Sequence, residues 1–188
     1  MRALTVRQPW AEAIACGAKL VENRSMGTRY RGPLAVHAGK GWAEWGFADE
    51  RLRELWPDGG PMPWQRSLGY ALRHVPAYHG RPPHPFLSGR VLAVAELVDV
   101  HEAVPTESGE GCCCEPWGEL RYAASDGRVR TGVRHWLLED VVRLPSPVEA
   151  RGRLGLWTPN PELTVLLQLG RLEGSLAAAG AARAEAHR

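Results

Sequence analysis

The sequence predicts an α+β fold, a small mixed β-barrel with a few flanking helices. Apolar residues alternate over several short stretches, as strands require. Few stretches carry a helical repeat, and the strands succeed one another without the regular crossover helices of a doubly wound sheet. The chain has 188 residues, enough for one domain with a sizeable core plus appendages. A hydrophobic content of 44% with 23% charged residues is that of an ordinary globular chain.

The elements follow in order. Residues 3–7, ALTVR, read as a first strand. Gln8-Pro9-Trp10 opens a helix, Pro9 being tolerated in the first turn because its missing N–H would lack a partner there. Trp10, Ile14 and Ala18 recur along one apolar face, and the helix is expected to end near Gly17. KLVENR (19–24) resumes as a strand, and 27–32 is a loop rich in Arg and Tyr. PLAVHAGK (33–40) is a strand with Leu34, Val36 and Ala38 on one face and Ala35, His37 and Gly39 on the other.

Residues 41–88 change character. They hold Trp42, Trp45, Trp56 and Trp64, many prolines, helix-like stretches around 43–56 and 64–75, and the rigid PPHPF at 82–86. They read as a helical, Trp/Pro-rich insertion beside the sheet. RVLAVAELVDVHEA (90–103) is the strongest strand, β-branched and mostly apolar, hence central. Residues 102–133 form a variable loop. RHWLLEDVVRL (134–144) has helix-compatible spacing, and the PSPVEARGRLGLWTP that follows reads as turn, strand and stop. Residues 1–160 make a single domain, and 161–188 an apolar helical extension fading into an Ala-rich tail expected to fray.

The net charge of +2 hides an uneven layout. Residues 1–40 hold seven basic and two acidic side chains, whereas 92–120 hold seven acids and no Lys or Arg. A basic segment attracts phosphate, though both runs also fit solvated faces of one fold. No leader is visible at the N-terminus, and no stretch approaches the roughly 20 apolar residues of a membrane helix. A cytoplasmic chain without membrane partners is expected. The cysteines, Cys16 and the run Cys112-Cys113-Cys114, are not a disulfide framework.

The stretch with the most chemistry is GAKLVENR, 17–24. Glu22 and Arg24 share a strand face, and Lys19 sits at the helix C-terminus, where a cation is favoured. A salt-bridged junction and a shared pocket both fit this spacing. The chain has 21 Arg and only two Lys, and lysine, unlike arginine, changes its protonation state readily when desolvated. Glu96 is a second notable charge, a carboxylate between Ala95 and Leu97 in the most apolar strand. A buried carboxylate needs a partner, and Lys19 or Arg24 is available.

GAKLVENR fits G-x-K-x-x-E-x-R, and with this pattern the chain resembles the ASCH domains of the PUA-like superfamily. LTVRQPWAEAI and TRYRGPLAVHAGK resemble the family's strand–helix–strand–strand opening. GRVLAVAELVDV resembles its long central strand, and HWLLEDVVRLPSPVEARGRLGLW its closing helix and strand. The resemblance implies a PUA-like β-barrel with a pocket between helix and sheet that binds RNA or DNA, often through a modified or flipped base. It also implies an alternative. Some small ASCH proteins are amidohydrolases that deacetylate N4-acetylcytidine, and another is a ribonuclease. The amidohydrolase pattern of a Lys, a Thr three residues later and a Glu on the central strand falls here on Lys19, Glu22 and Glu96, with Glu22 departing from Thr.

On the binding reading, Arg7, Arg29, Arg31 and Lys40 are the cations for phosphates, joined by Lys19 and Arg24 at the pocket. Trp10, Tyr30 or Trp157 is available to stack a base, with core positions the alternative for Trp10 and Trp157. His37 faces either the pocket or a structural contact. Adjacent cysteines are poorly placed to share a tetrahedral zinc, and no C-x-x-C pair accompanies them, so no metal and no cofactor is expected. The cysteine run reads instead as a loop of redox-sensitive thiols. Nucleic-acid binding is the leading expectation, with hydrolase and protein-interaction module as alternatives.

Overall fold

The computed structural model describes residues 1–43, 46, 49–55, 86–109, 111–123 and 128–185. Eight strands and three helices are present among them. They are Arg2–Gln8 (β1), Trp10–Ala15 (α1), Val21–Arg24 (β2), Gly32–Trp42 (β3), Glu50–Leu55 (α2), Arg90–Glu102 (β4), Tyr122–Ala123 (β5), Val129–Arg130 (β6), Arg134–Glu149 (β7), Leu156–Trp157 (β8) and Pro161–Glu185 (α3).

Six strands form one mixed sheet in the order β2-β7-β4-β3-β1-β8, and β5 and β6 pair separately. β1 runs parallel to β3, with Leu4 opposite Val36 and Thr5 opposite His37. The other pairings in the sheet are antiparallel. A parallel pair needs a crossover, and α1 with β2 supplies it. The sheet is a half-barrel within an α+β fold with a few helices, as the sequence predicts, and β2 and β8 are its edge strands.

One core lies between the sheet and α1. It joins Leu4, Val6, Leu34, Val36, Leu92 and Leu97 to Ala11 and Ile14 of the helix. A second lies between the sheet and α3, where Ala35, Val91, Val94 and Leu144 meet Leu167. α3 approaches closely because Gly170 and Gly174 face β7. A Cβ on Gly174 would stand 2.5 Å from the Arg143 carbonyl oxygen. The helix also exposes Val165, Leu166, Leu169, Leu172 and Leu176 on its other side.

Two expectations are corrected. Residues 134–144 are strand, not helix. β7 pairs with β2 on one side and β4 on the other, which makes it as central as β4. Trp136 and Leu138 face the core with the period of a strand, but Asp140 adopts φ 46° and the pairing with β4 slips along this stretch. Such irregularities shift the apolar positions and mimic helical spacing. The strand then continues through Pro145 and Pro147, so the segment read as a turn extends it. The Ala-rich tail is helical as far as Glu185. α2 falls within the helix-like stretch at 43–56, whereas Trp45, Trp56, Trp64, the 64–75 stretch and residues 82–85 lie outside the described residues.

Candidate functional site

The local sequence explains how the charged stretch is aimed. Gly17 ends α1 in the left-handed region (φ 80°), a conformation glycine adopts without steric cost. The chain doubles back so that the Ala18 and Lys19 N–H groups both donate to the Ala13 carbonyl, at 3.1 and 3.0 Å. Lys19 is thereby turned inward, and β2 begins two residues later.

Lys19 and Glu22 are buried, 3% and 7% exposed. The Lys19 Nζ donates to the Val21 carbonyl and, at 3.2 Å, to Glu22 Oε2. It lies 5.8 Å from the centre of the Trp10 ring, a cation–π contact. Arg24 meets the other oxygen of Glu22 at 3.5 Å. One carboxylate thus binds two cations, and the shared strand face of Glu22 and Arg24 is present as the spacing predicts.

These residues border a cavity of about 460 Å³. Arg7 comes from β1, Trp10 from α1, Gly39, Lys40 and Gly41 from β3, and Arg153, Leu154 and Gly155 from the turn before β8. Cations dominate the lining: Arg7, Lys19, Arg24, Lys40 and Arg153 against Glu22 and Glu119. Trp10 is half-buried and meets Trp117 edge-on, ring centres 6.2 Å apart.

Three lining residues escaped the sequence reading. Asn23 donates from Nδ2 to the Trp117 carbonyl at 2.8 Å and accepts from the Glu119 N–H at 3.1 Å, tying β2 to the 111–119 loop. Glu119 is brought to the cavity by that loop. Burial pushes its pKa up, Lys19 and Arg51 oppose this, and Asp49 and Glu22 add to it. Arg51 stands 3.7 Å from the Glu119 carboxylate with its guanidinium over the Trp117 ring. Arg153 had a weak local signal in the basic, glycine-bearing RGRLG, whereas Glu119 had none.

Other expected site residues lie elsewhere. Glu96 does not share the cavity with Lys19. Its neighbours Ala95 and Leu97 point into the α1-side core, so strand alternation sends Glu96 toward α3, where Arg171 binds it at 2.6 Å. The Tyr30 ring packs on the core and its hydroxyl donates to the Pro33 carbonyl at 2.7 Å. Arg31 pairs with Asp99 at 3.1 Å, and Arg29 is exposed outside the cavity lining. His37 is buried, Nε2 3.0 Å from the Ala150 carbonyl oxygen and the ring edge-on to Trp157. Trp157 itself is a core residue bonded to Thr5 Oγ1.

A mixed half-barrel carrying a cation-lined pocket between its first helix and its sheet defines an α+β domain built around one candidate site. The family model for the ASCH domain matches residues 4–125, and the chain belongs to that family. The match includes α1, β2 and the cavity residues up to Glu119. The fold is similar to the crystal structure of ASCH from Zymomonas mobilis, at 14% identity over 89% of this chain and 94% of that one, with a TM-score of 0.46. No curated protein matches the chain. Among the described residues, no helix is long and apolar enough to cross a membrane.

Proposed function

We propose that this ASCH domain binds single-stranded RNA, or a single-stranded DNA segment, by lodging one base or modified nucleotide in the cavity. The observation that carries this reading is the convergence of Arg7, Arg24, Lys40 and Arg153 around a pocket containing the buried Lys19–Glu22 pair. ASCH domains are generally RNA-binding, PUA-like domains. Single strands are read by splaying out a base and contacting its edges, while cations hold the adjoining phosphates. About 460 Å³ is within the range of small-ligand sites. Asn23 and Glu22 offer an amide and a carboxylate to a base edge, and Trp10 offers an aromatic wall.

The test is binding of short single-stranded RNA and DNA followed by fluorescence anisotropy across a salt series. Arg24→Ala with Lys40→Ala is expected to weaken binding roughly tenfold or more, about 1.4 kcal/mol. It also flattens the salt dependence, since each lost phosphate contact removes about 0.7 from the logarithmic slope. Arg29→Ala and Arg31→Ala leave the affinity unchanged. No binding at low salt, or equal binding by the Arg24/Lys40 variant, overturns the reading.

Hydrolysis of an acylated nucleoside is a second reading, and Glu119 favours it. With Glu96 outside the cavity, Glu119 is the carboxylate beside Lys19 and Glu22 whose pKa burial raises, the direction that favours a proton-carrying carboxyl. Turnover of N4-acetylcytidine that disappears in Glu119→Gln and survives in Glu96→Gln is its expected signature. Absence of turnover across a panel of acylated nucleosides removes it.

A further inference from the structure

The cysteine run is not an isolated loop feature. His101 on β4 and His135 on β7 are direct cross-strand partners, so both imidazoles stand on one face of the sheet. The 111–117 loop folds over them. Cys113 Sγ lies 3.5 Å from His101 Nε2 and 3.4 Å from His135 Nδ1, and Cys114 Sγ lies 3.3 Å from His101 Nε2. One donor atom from each of the four residues falls within 4.8 Å of all the others.

We propose that His101, Cys113, Cys114 and His135 bind one structural zinc ion, which pins the loop carrying Trp117 and Glu119 to the sheet. With Zn–S near 2.3 Å and Zn–N near 2.0–2.1 Å, a tetrahedral site has S···N edges of about 3.6 Å. The sulfur–nitrogen separations here are already close to that length. Adjacent cysteines in a strand would diverge, but Cys113 and Cys114 sit in a turn, where both sulfurs reach the same side.

The surroundings fix which ring nitrogens face the ion. Asp99 Oδ2 lies 2.7 Å from His101 Nδ1. The Nδ1–H donates to it, leaving the Nε2 lone pair for the metal. His135 Nε2 lies 3.1 Å from both the N–H and the carbonyl oxygen of Glu119. With that N–H donating to Asn23 Oδ1, a proton on Nε2 is accepted by the carbonyl and leaves Nδ1 as the ligand. Metal-binding histidines regularly have such outer partners. Cys112 approaches His135 only from the Nε2 side, at 3.8 Å, and is not a ligand. Gly118 leaves room for the closure: a Cβ there would stand 2.8 Å from the Cys112 sulfur, the Cys114 carbonyl oxygen and His135 Cε1.

Two thiolates and two imidazoles in a tetrahedron suit zinc and exclude magnesium or calcium, which take oxygen ligands. Four protein ligands complete the coordination shell, so the ion is structural. Binding converts both thiols to thiolates, releases two protons to solvent and changes no oxidation state.

Elemental analysis of the untagged, reduced chain purified without chelator is expected to find one zinc per chain. Cobalt added to the metal-free chain gives the thiolate charge-transfer band and the intense visible bands of a tetrahedral site. Both signals disappear in Cys113→Ser and Cys114→Ser and persist in Cys112→Ser and Cys16→Ser. On the unaltered chain, a mercurial that caps thiols releases the zinc to a chromogenic chelator, a readout independent of whether any variant folds. The proposal is overturned if the reduced chain holds no zinc and takes up no cobalt. It is equally overturned if Cys113→Ser/Cys114→Ser retains full metal content, or if the chain as isolated is lighter by two hydrogens because Cys113 and Cys114 are joined as a disulfide. Every readout is metal or mass, so the result is independent of nucleic-acid binding.

Discussion

Two carboxylate–cation pairs flank the same sheet. On the α1 side, Glu22 binds Lys19 at 3.2 Å, with side chains 9% and 4% exposed. On the α3 side, Glu96 binds Arg171 at the shorter distance of 2.6 Å, with side chains 25% and 26% exposed. The shorter contact is the less consequential one. Water reaches the Glu96 pair and replaces either partner if it is removed, so the pair contributes at most about 1 kcal/mol. Little of the Lys19–Glu22 pair is open to water, and loss of one partner leaves the other's charge largely desolvated. A chain that needed only stability would gain as much from apolar residues there. The place of this pair at the cavity wall is what the proposed binding reading rests on.

The contrast is broken or upheld most directly by unfolding in urea. Lys19→Met is expected to lose about 3–5 kcal/mol, because Glu22 is left buried with only the more distant Arg24. Arg171→Met is expected to lose about 1 kcal/mol or less. Lys19→Met combined with Glu22→Leu recovers most of the loss, since replacing both charges removes the stranded one. Equal losses for Lys19→Met and Arg171→Met would end the distinction between the two sides.

A smaller effect probes how α3 is held beside Glu96. Alanine at 174 gains about 1 kcal/mol in helix propensity over glycine. Its Cβ would stand 2.5 Å from the Arg143 carbonyl oxygen and 2.8 Å from a Val142 methyl. Backbone of a central strand does not yield, and overpacking costs about 1–3 kcal/mol. The clash outweighs the propensity, so Gly174→Ala is expected to lower the unfolding free energy by about 1 kcal/mol. Gly180→Ala, where a Cβ meets nothing within 4 Å, is expected to raise it. A stabilised Gly174→Ala chain would mean that α3 does not pack this closely on β7.

Much of the fold was legible because local chemistry agreed with the global arrangement. Pro9 and Gly17 bracket α1, and the alternation in 33–40 assigned Leu34, Val36 and Ala38 to one face, where they join the α1-side core. β7 was misread because its positive-φ residue and slipped pairing disrupt the two-residue period on which strand recognition depends. The site was half legible. Lys19, Glu22 and Arg24 are close in sequence, so spacing carried them together. Glu96 was assigned to the wrong side because its facing depends on strand parity within the assembled sheet. The register of β4 and β7 sets His101 beside His135, and the loop that Asn23 ties to β2 brings Glu119 to the cavity and the cysteines to the two histidines; no short stretch encodes either arrangement.

The smallest effect concerns a buried titratable group on the α3 side that lacks a charged partner. Burial lowers the pKa of His37, opposed by its contact with the Ala150 carbonyl. The ring donates from Nε2 to that carbonyl, and Nδ1 is buried without a hydrogen-bond partner. A neutral imidazole meets both conditions, and protonation would place a second N–H against an unaccepting wall. The unfolded chain titrates near 6.5, above the folded value, so it binds more protons than the native chain between the two. Stability is therefore full above about pH 6.5 and declines as the pH falls from there toward the folded pKa. Urea midpoints measured on either side of pH 6.5 are expected to drop less in His37→Gln than in the unaltered chain. An identical drop in both would assign the pH sensitivity to other groups and leave His37 a neutral packing residue with no titration linked to folding.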